Sequence, residues 1–481
     1  MNNVLDGIKP KKVFYYFEKL TQIPRGSGNE KEVSDYLVNF AKERNLKVKQ
    51  DDSLNVVIEK DASEGYENAK TVILQGHLDI VCAKEKDVEF DFEKDPINIY
   101  IDGDMIRTKG TTLGADNGIA IAMAMAILDS DEIMHPKLIV LATTNEETGM
   151  EGVMGLEKGT IKGDILINID SEEEGVLLAS CAGGARSEIS LPIKYEKNEF
   201  KYNYRIFIDG LLGGHSGIEI DKKRASAIKL MGRVLSEIDD EIEFGVSEIN
   251  GGEKMNAIAK RCEVLLSFND NIKFEEIIND ISGDIKNELK TSDEFILIEY
   301  ELVDEKKEII STQNKKDLIS LIRLIPQGIQ TMSADIEGLV ESSSNVGVIK
   351  TNENGIFLNS AIRSSINSLK FEIVNRIVRL TELTNSNHKL TAEYPEWQFK
   401  KESYIRNLMK EIYSKKFNGE LKVDAIHAGL ECGFLKEKLG DIDMVSIGPN
   451  MYDVHTPNEH VSISSVKNVY EFLMEVLKEM K

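Results

Sequence analysis

The sequence predicts a mixed, mostly parallel α/β sheet sandwiched by helices and interrupted by an inserted α+β domain of two related halves. Three observations carry this expectation. Apolar strand patterns alternate with helical ones over the first part of the chain, the pattern changes after CAGGARSEI (181–189), and it returns from about Pro395. Strands apolar on both faces and separated by helices suit a parallel sheet covered on both sides.

Residues 11–22 (KKVFYYFEKLTQ) have the helical period, and the stretch from Pro24 to Gly28 breaks it. Ser27 stands three before Glu30, the spacing of a capping box, ahead of Val33, Tyr36, Leu37 and Phe40 at helical intervals. Strands follow at NVVIEK (55–60) and TVILQ (71–75), then an alanine-rich helix at 118–128. KLIVLATT (137–144) and DILINID (164–170) complete this part. From about Tyr202 an alternating strand, a helix, a strand pair around Gly251-Gly252, another helix and EFILIEYEL form one half of the insert. A helix over 314–331, strand 355–366, helix 371–384 and strand HKLTAEY repeat that order loosely and form the other half. The expected division is a catalytic domain over 1–185 and 391–481, with the insert, a lid, over 186–390.

Size and charge narrow the function classes. A chain of 481 residues is too long for one core. A net charge of −24 excludes nucleic acid and anionic membrane as main partners, since both repel an acidic surface. No apolar signal core follows the first residues, and the apolar run GIAIAMAMAIL falls short of a membrane span. Cys82, Cys181, Cys262 and Cys432 lie far apart with no C-x-x-C pair and read as reduced thiols. The expected location is the cytoplasm.

The chemistry starts at TVILQGHLDIV (71–81). On an extended backbone His77 and Asp79 share one face, and a carboxylate beside an imidazole fixes its tautomer for metal binding. Further candidates are Asp116 in TLGADNG, Glu146 and Glu147 in NEETG, Asp170 in INIDSEEEG and His455 in VHTPNEH. Singly, each has a plain structural reading. The 83 acids predict roughly 14 adjacent acidic pairs by chance. Asp116 could cap a helix, Asp170 could open a turn, and His455 could be a loop residue. Those readings leave unexplained why the sites repeatedly follow apolar strands, whose carboxyl ends are where such sheets bind ligands.

Charge then favours a pair of divalent ions. Asp116, Glu147 and Asp170 with a bridging hydroxide balance two Zn²⁺, and mixed imidazole and carboxylate ligation suits zinc without excluding manganese or cobalt. Two such ions acidify a shared water and polarise the carbonyl it attacks, which leaves Glu146 free as general base.

The order HLD, GADNG, EETG, NID and HTPNE, with IPRGSGNE near the start, resembles the di-zinc aminoacylase and carboxypeptidase family of metallopeptidases, closest to its aminoacyl-histidine dipeptidase (cytosol nonspecific dipeptidase) branch. The resemblance covers essentially the whole chain and includes GGHSG (213–217) and HAGLECG (427–433). It implies that His77 and Asp170 hold one zinc, that Glu147 and His455 hold the other, and that Asp116 bridges them. Asp79 then orients His77, and Glu146 is the base. A cis peptide is implied after the bridging acid. The resemblance further implies that His215 stabilises the oxyanion and that Arg363 clamps the substrate carboxylate. Asn256 is a weaker candidate of the same kind, and His427, Gly429 and Glu431 border the substrate without an assigned role. The expected function is hydrolysis of Xaa-His and broader dipeptides, with a small peptide as partner and a homodimer as one possible assembly. Alternatives are a tripeptidase, a carboxypeptidase, an N-acyl amino acid deacylase or, more distantly, a non-catalytic peptide-binding protein.

Overall fold

The structure, a computed structural model, describes residues 4–417 and 419–481. The chain divides into two compact units. One comprises the chain up to Ser180 with Phe399–Ala425 and Leu430–Lys481, and the other comprises Cys181–Gln398 with Ile426–Gly429.

The first unit is built on an eight-stranded sheet in the order Lys47–Gln50, Val56–Lys60, Leu138–Thr143, Val72–His77, Ile165–Asn168, Asp443–Ser446, Val176–Cys181, Lys422–Ile426. Its centre is parallel: Val72–His77 pairs in parallel with both Leu138–Thr143 and Ile165–Asn168, and Asp443–Ser446 pairs in parallel with Ile165–Asn168. Val56–Lys60 runs antiparallel to Leu138–Thr143, so the sheet is mixed toward its edge. Every residue of Val72–His77 and Leu138–Thr143 is buried, as strands covered by helices on both faces require. The helix Ala115–Leu128 is buried along its whole length, which explains why its sequence is apolar all round. It comes close to Val72–His77 because position 76 is glycine; a Cβ there would overlap Asn117 Oδ1 and lie 2.9 Å from Ala120 Cβ.

The expected capping box does not form. The helix Lys31–Glu43 begins after Glu30, which makes no side-chain cap, and Ser27 Oγ donates instead to Asp79 Oδ2 at 2.8 Å. The cap position belongs to Glu30, so Ser27 stands three residues ahead of it.

The second unit is a nine-stranded sheet in which two β-α-β-β-α-β halves of four strands each join edge to edge, and Gly328–Met332, pairing with Val340–Asn352, is the ninth strand. One half contains Tyr202–Asp209, Phe244–Gly251, Cys262–Phe268 and Leu297–Leu302, with helices Ala227–Glu241 and Asn271–Leu289. The other contains Gly183–Leu191, Val340–Asn352, Gly355–Ser364 and Asn387–Tyr394, with helices Thr312–Leu324 and Asn367–Leu383. In both halves the fourth strand lies beside the first, the first beside the third and the third beside the second. The two second strands pair at Asn250↔Lys350 and Gly251↔Ile349. The halves are not consecutive. Gly183–Leu191 is the first strand of the later half, and the whole earlier half intervenes before its helix. Reading the later half from residue 314 therefore misses its first strand, since a strand separated from its helix by a complete half leaves no local signal.

Candidate active site

The parallel strands of the first unit all end at one rim. His77 is the last residue of its strand, Glu146 and Glu147 follow Thr143, Asp170 follows Asn168, and Asp116 lies at the start of the buried helix. His455 comes from the loop between Met451–Tyr452 and His460–Ser462.

These side chains form two triads that share one aspartate. His77 Nε2 lies 3.0 Å from Asp116 Oδ1 and 3.4 Å from Asp170 Oδ1. His455 Nε2 lies 3.1 Å from Asp116 Oδ2 and 3.0 Å from Glu147 Oε2. The ligand atoms of each triad are within 4.8 Å of one another, and His77, Glu146 and Glu147 form a third such group. Each Asp116 oxygen thus faces a different histidine, the arrangement a bridging carboxylate needs.

The donor set fits two divalent ions. Glu147 Oε1 is buried with no hydrogen-bond partner among the described residues, and Asp170 Oδ1 has only the 3.4 Å approach of His77 Nε2, a costly state for carboxylates unless a cation supplies the missing contact. Two imidazoles and three carboxylates are the nitrogen and oxygen donors that zinc and its neighbours accept.

Burial and the close approach of opposite charges pull the pKa values of this cluster in different directions. Burial alone would raise the Asp116 pKa, but the bonds from His455 and His77 hold it well below the usual carboxylate range. The Asp116 and Glu147 carboxylates push His455 up to about 11. Burial opposes charge on His77, yet Asp170 and Asp116 raise its pKa well above the ordinary value. Burial, with Asp116 and Glu147 adding to it, lifts Asp170 to about 6. Burial also lifts Glu146 far above the usual range, with help from Asp170, Glu431 and Glu147.

Asp79 is fully buried beneath His77. Its Oδ1 accepts the Glu146 N–H at 3.0 Å, and its Oδ2 accepts the Glu147 N–H at 3.2 Å and the Ser27 hydroxyl at 2.8 Å. His77 Nδ1 lies 3.1 Å from the Asp79 main-chain oxygen and 3.4 Å from Oδ1. Residue 79 therefore orients the ring through two acceptors, leaving Nε2 for the cluster. The Asp116-Asn117 peptide is cis. Asn117, which carries no motif signal of its own, accepts the His77 N–H through Oδ1 and donates through Nδ2 to the Ile169 carbonyl at 2.7 Å.

Glu431 is fully buried in the first unit. Its Oε2 accepts from Gln75 Nε2 at 2.6 Å and from Thr143 Oγ1 at 2.7 Å, and burial raises its pKa to about 7. Its other oxygen, Oε1, is buried with no hydrogen-bond partner among the described residues.

The remaining candidates belong to the second unit and cluster there. His215 Nδ1 accepts the Gly217 and Ile218 N–H groups, both at 3.2 Å, so the proton of the neutral ring sits on Nε2. Burial and the nearby Arg363 keep this histidine uncharged by lowering its pKa. Arg363 donates through Nη1 to the Tyr394 hydroxyl at 2.9 Å, and its Nε is buried without a partner among the described residues. His427, to which the sequence assigns no role, shares a 2.7 Å bond with Ser343 Oγ. The Asn256 carbonyl accepts the Ser216 N–H at 2.9 Å, and at Gly429 a Cβ would come within 2.9 Å of the Tyr394 ring.

A parallel-centred α/β sheet whose rim gathers two histidine–carboxylate triads around one aspartate is a candidate centre for two divalent ions. Residues 208–293 match the peptidase dimerisation domain. Over 479 residues the chain is 36% identical to the cytosol non-specific dipeptidase of Escherichia coli strain K12, covering 99% of each. The crystal structure of aminoacylhistidine dipeptidase from Vibrio alginolyticus superposes with a TM-score of 0.96 at 36% identity, over 99% of this chain and 98% of that one. Aminopeptidase PepT from Bacillus cereus shares the fold at a TM-score of 0.57 and 14% identity, over 98% of this chain and 99% of that one. The chain belongs to the family of the cytosol non-specific dipeptidases.

Proposed function

We propose that this chain hydrolyses dipeptides, Xaa-His among them, using two divalent metal ions. The observation that carries the reading is the pair of triads meeting at Asp116. His77 and Asp170 would hold one ion, Glu147 and His455 the other, and Asp116 both, with zinc favoured by the donor types. When bound, such a pair acidifies a shared water and polarises the scissile carbonyl.

The chain's own residues supply the proton traffic and the orientation. Glu146 is adjacent to a metal-ligand candidate and half-buried, and its carboxylate clusters with His77 and Glu147, a place from which it can take a proton from water and pass it to the leaving amine. Asp79 keeps Glu146 and Glu147 in register by accepting both of their N–H groups. His215, neutral and protonated on Nε2, is a donor suited to a developing oxyanion. Arg363 has unspent guanidinium donors suited to a carboxylate.

No helix of the described residues is long and apolar enough to cross a membrane. The dimerisation-domain match makes a homodimer worth testing by mass in solution. The function itself is tested by metal analysis coupled to rates on free dipeptides, tripeptides, blocked dipeptides and N-acyl amino acids. Two equivalents of metal with cleavage confined to free dipeptides is the expected outcome. Preference for acylated amino acids or longer peptides would move the chain to a neighbouring specificity.

A further inference from the structure

The motif IPRGSGNE supplies neither a metal ligand nor a proton carrier, yet its loop touches most of the segments that carry candidate ligands. Arg25 is 1% exposed. Its Nη1 donates to the carbonyl of Leu78, between His77 and Asp79, at 2.8 Å, and its Nη2 donates to the carbonyl of Gly114 at 2.6 Å. From the opposite side Glu459, 3% exposed, takes the N–H groups of the same turn. Oε2 accepts from Leu113 at 2.8 Å and Gly114 at 3.1 Å, and Oε1 accepts from Ala115 at 2.8 Å and Asp116 at 3.3 Å. Glu459 lies four residues after His455. The turn that presents Asp116 is therefore held by its carbonyl from the His77 side and by its amides from the His455 side. Glycines make room for this. Gly114 has φ +70° and a Cβ on it would come within 2.8 Å of Arg25 Nη2, while a Cβ on Gly118 would overlap the same atom.

We propose that Arg25 and Glu459 are positioning residues that hold the bridging-aspartate turn in its metal-binding shape before any metal arrives. A guanidinium suits the task because its rigid fork reaches two carbonyls on different segments at once, which a single ammonium cannot do with the same geometry. Its charge also stands near Asp79, Asp116 and Glu459, offsetting part of the repulsion among buried carboxylates. The same loop reaches further through Ser27 to Asp79, and through Glu30 Oε1, which accepts the Asn145 N–H at 3.0 Å just before Glu146.

The inference rests on the two-metal reading and is separable from it. In the wild-type protein, hydrogen exchange at the amides of residues 113–116 is compared with and without Zn²⁺. Slow exchange that metal removal leaves unchanged is expected, and fast exchange in the metal-free protein would overturn the proposal. In parallel, Arg25→Lys and Glu459→Gln are titrated with Zn²⁺ against a chromophoric chelator and with Co²⁺ by visible absorption. About 10–100-fold weaker binding and an altered Co²⁺ spectrum are expected in each. A folded Arg25→Lys variant with wild-type affinity and spectrum would refute the role. Should a variant fail to fold, the wild-type exchange experiment alone decides. A wild-type chain that binds no metal pair would instead sink the two-metal reading.

Discussion

Replacing Asp79 with asparagine is the sharpest perturbation of the site, because the replacement has the same shape and only the acceptor count changes. Four donors converge on this carboxylate: the Glu146 and Glu147 amides, the Ser27 hydroxyl and, at 3.4 Å, His77 Nδ1. An amide keeps one acceptor oxygen. Its least costly orientation turns Nδ2 toward Ser27 and Glu147, since the Ser27 hydroxyl can rotate to accept. The Glu147 N–H is then left buried and unpaired, a loss of about 1–3 kcal/mol. In a unit of this size that lowers the melting temperature by roughly 2–4 °C per kcal/mol. The bond from His77 Nδ1 to the main-chain oxygen of residue 79 survives, so the tautomer is kept and metal affinity falls by about 10–100-fold, not to nothing. Calorimetry of the metal-free protein and chelator competition measure the two effects. Wild-type melting together with wild-type affinity would refute both roles of Asp79, as acceptor for the neighbouring amides and as orienter of His77.

Further outcomes follow from the same geometry. Glu146→Gln should cost about 10²–10⁴-fold in kcat while both metals stay bound; a metal-loaded variant with normal turnover removes Glu146 as the base. Gly76→Ala drives a Cβ into Asn117 Oδ1 and against Ala120, so the helix start must shift and metal content should drop; full loading would show that the close approach is dispensable. His427 is buried, and burial together with Arg363 lowers its pKa to about 3. The unfolded chain therefore binds the proton first as pH falls. Stability from this residue is complete above about 6.5 and declines as pH drops toward 3, by about 2 kcal/mol at pH 5. Urea unfolding at pH 7.5 and pH 5 should show a smaller pH effect in His427→Gln than in the wild type, and equal effects would contradict the neutral, buried histidine.

Much of the fold is legible in the chain because burial leaves a pattern. Val72–His77 and Leu138–Thr143 are buried throughout and apolar over most of their length since helices cover both faces, and the helix Ala115–Leu128 lacks a polar stripe for the same reason. The later half of the second unit is legible only from its helix onward. Its first strand, Gly183–Leu191, joins it only through pairing with Gly355–Ser364 and Asn387–Tyr394. Ser27 likewise has the local spacing of a cap, but the helix starts four residues later and the hydroxyl donates to Asp79, 52 residues away.

The sequence by itself determined the residue types of the candidate site, their order, and their recurrence after apolar strands, because parallel strands must end at a common rim. Tertiary structure alone decided that Asp116 offers one oxygen to each histidine and that Asp79 serves Glu146 and Glu147 as well as His77. It also decided that Glu431 bonds Gln75 and Thr143 and that Arg25 and Glu459 grip one turn. These are distances between segments tens to hundreds of residues apart. Local pattern records burial and period, and carries no trace of which distant backbone group a buried charge will reach.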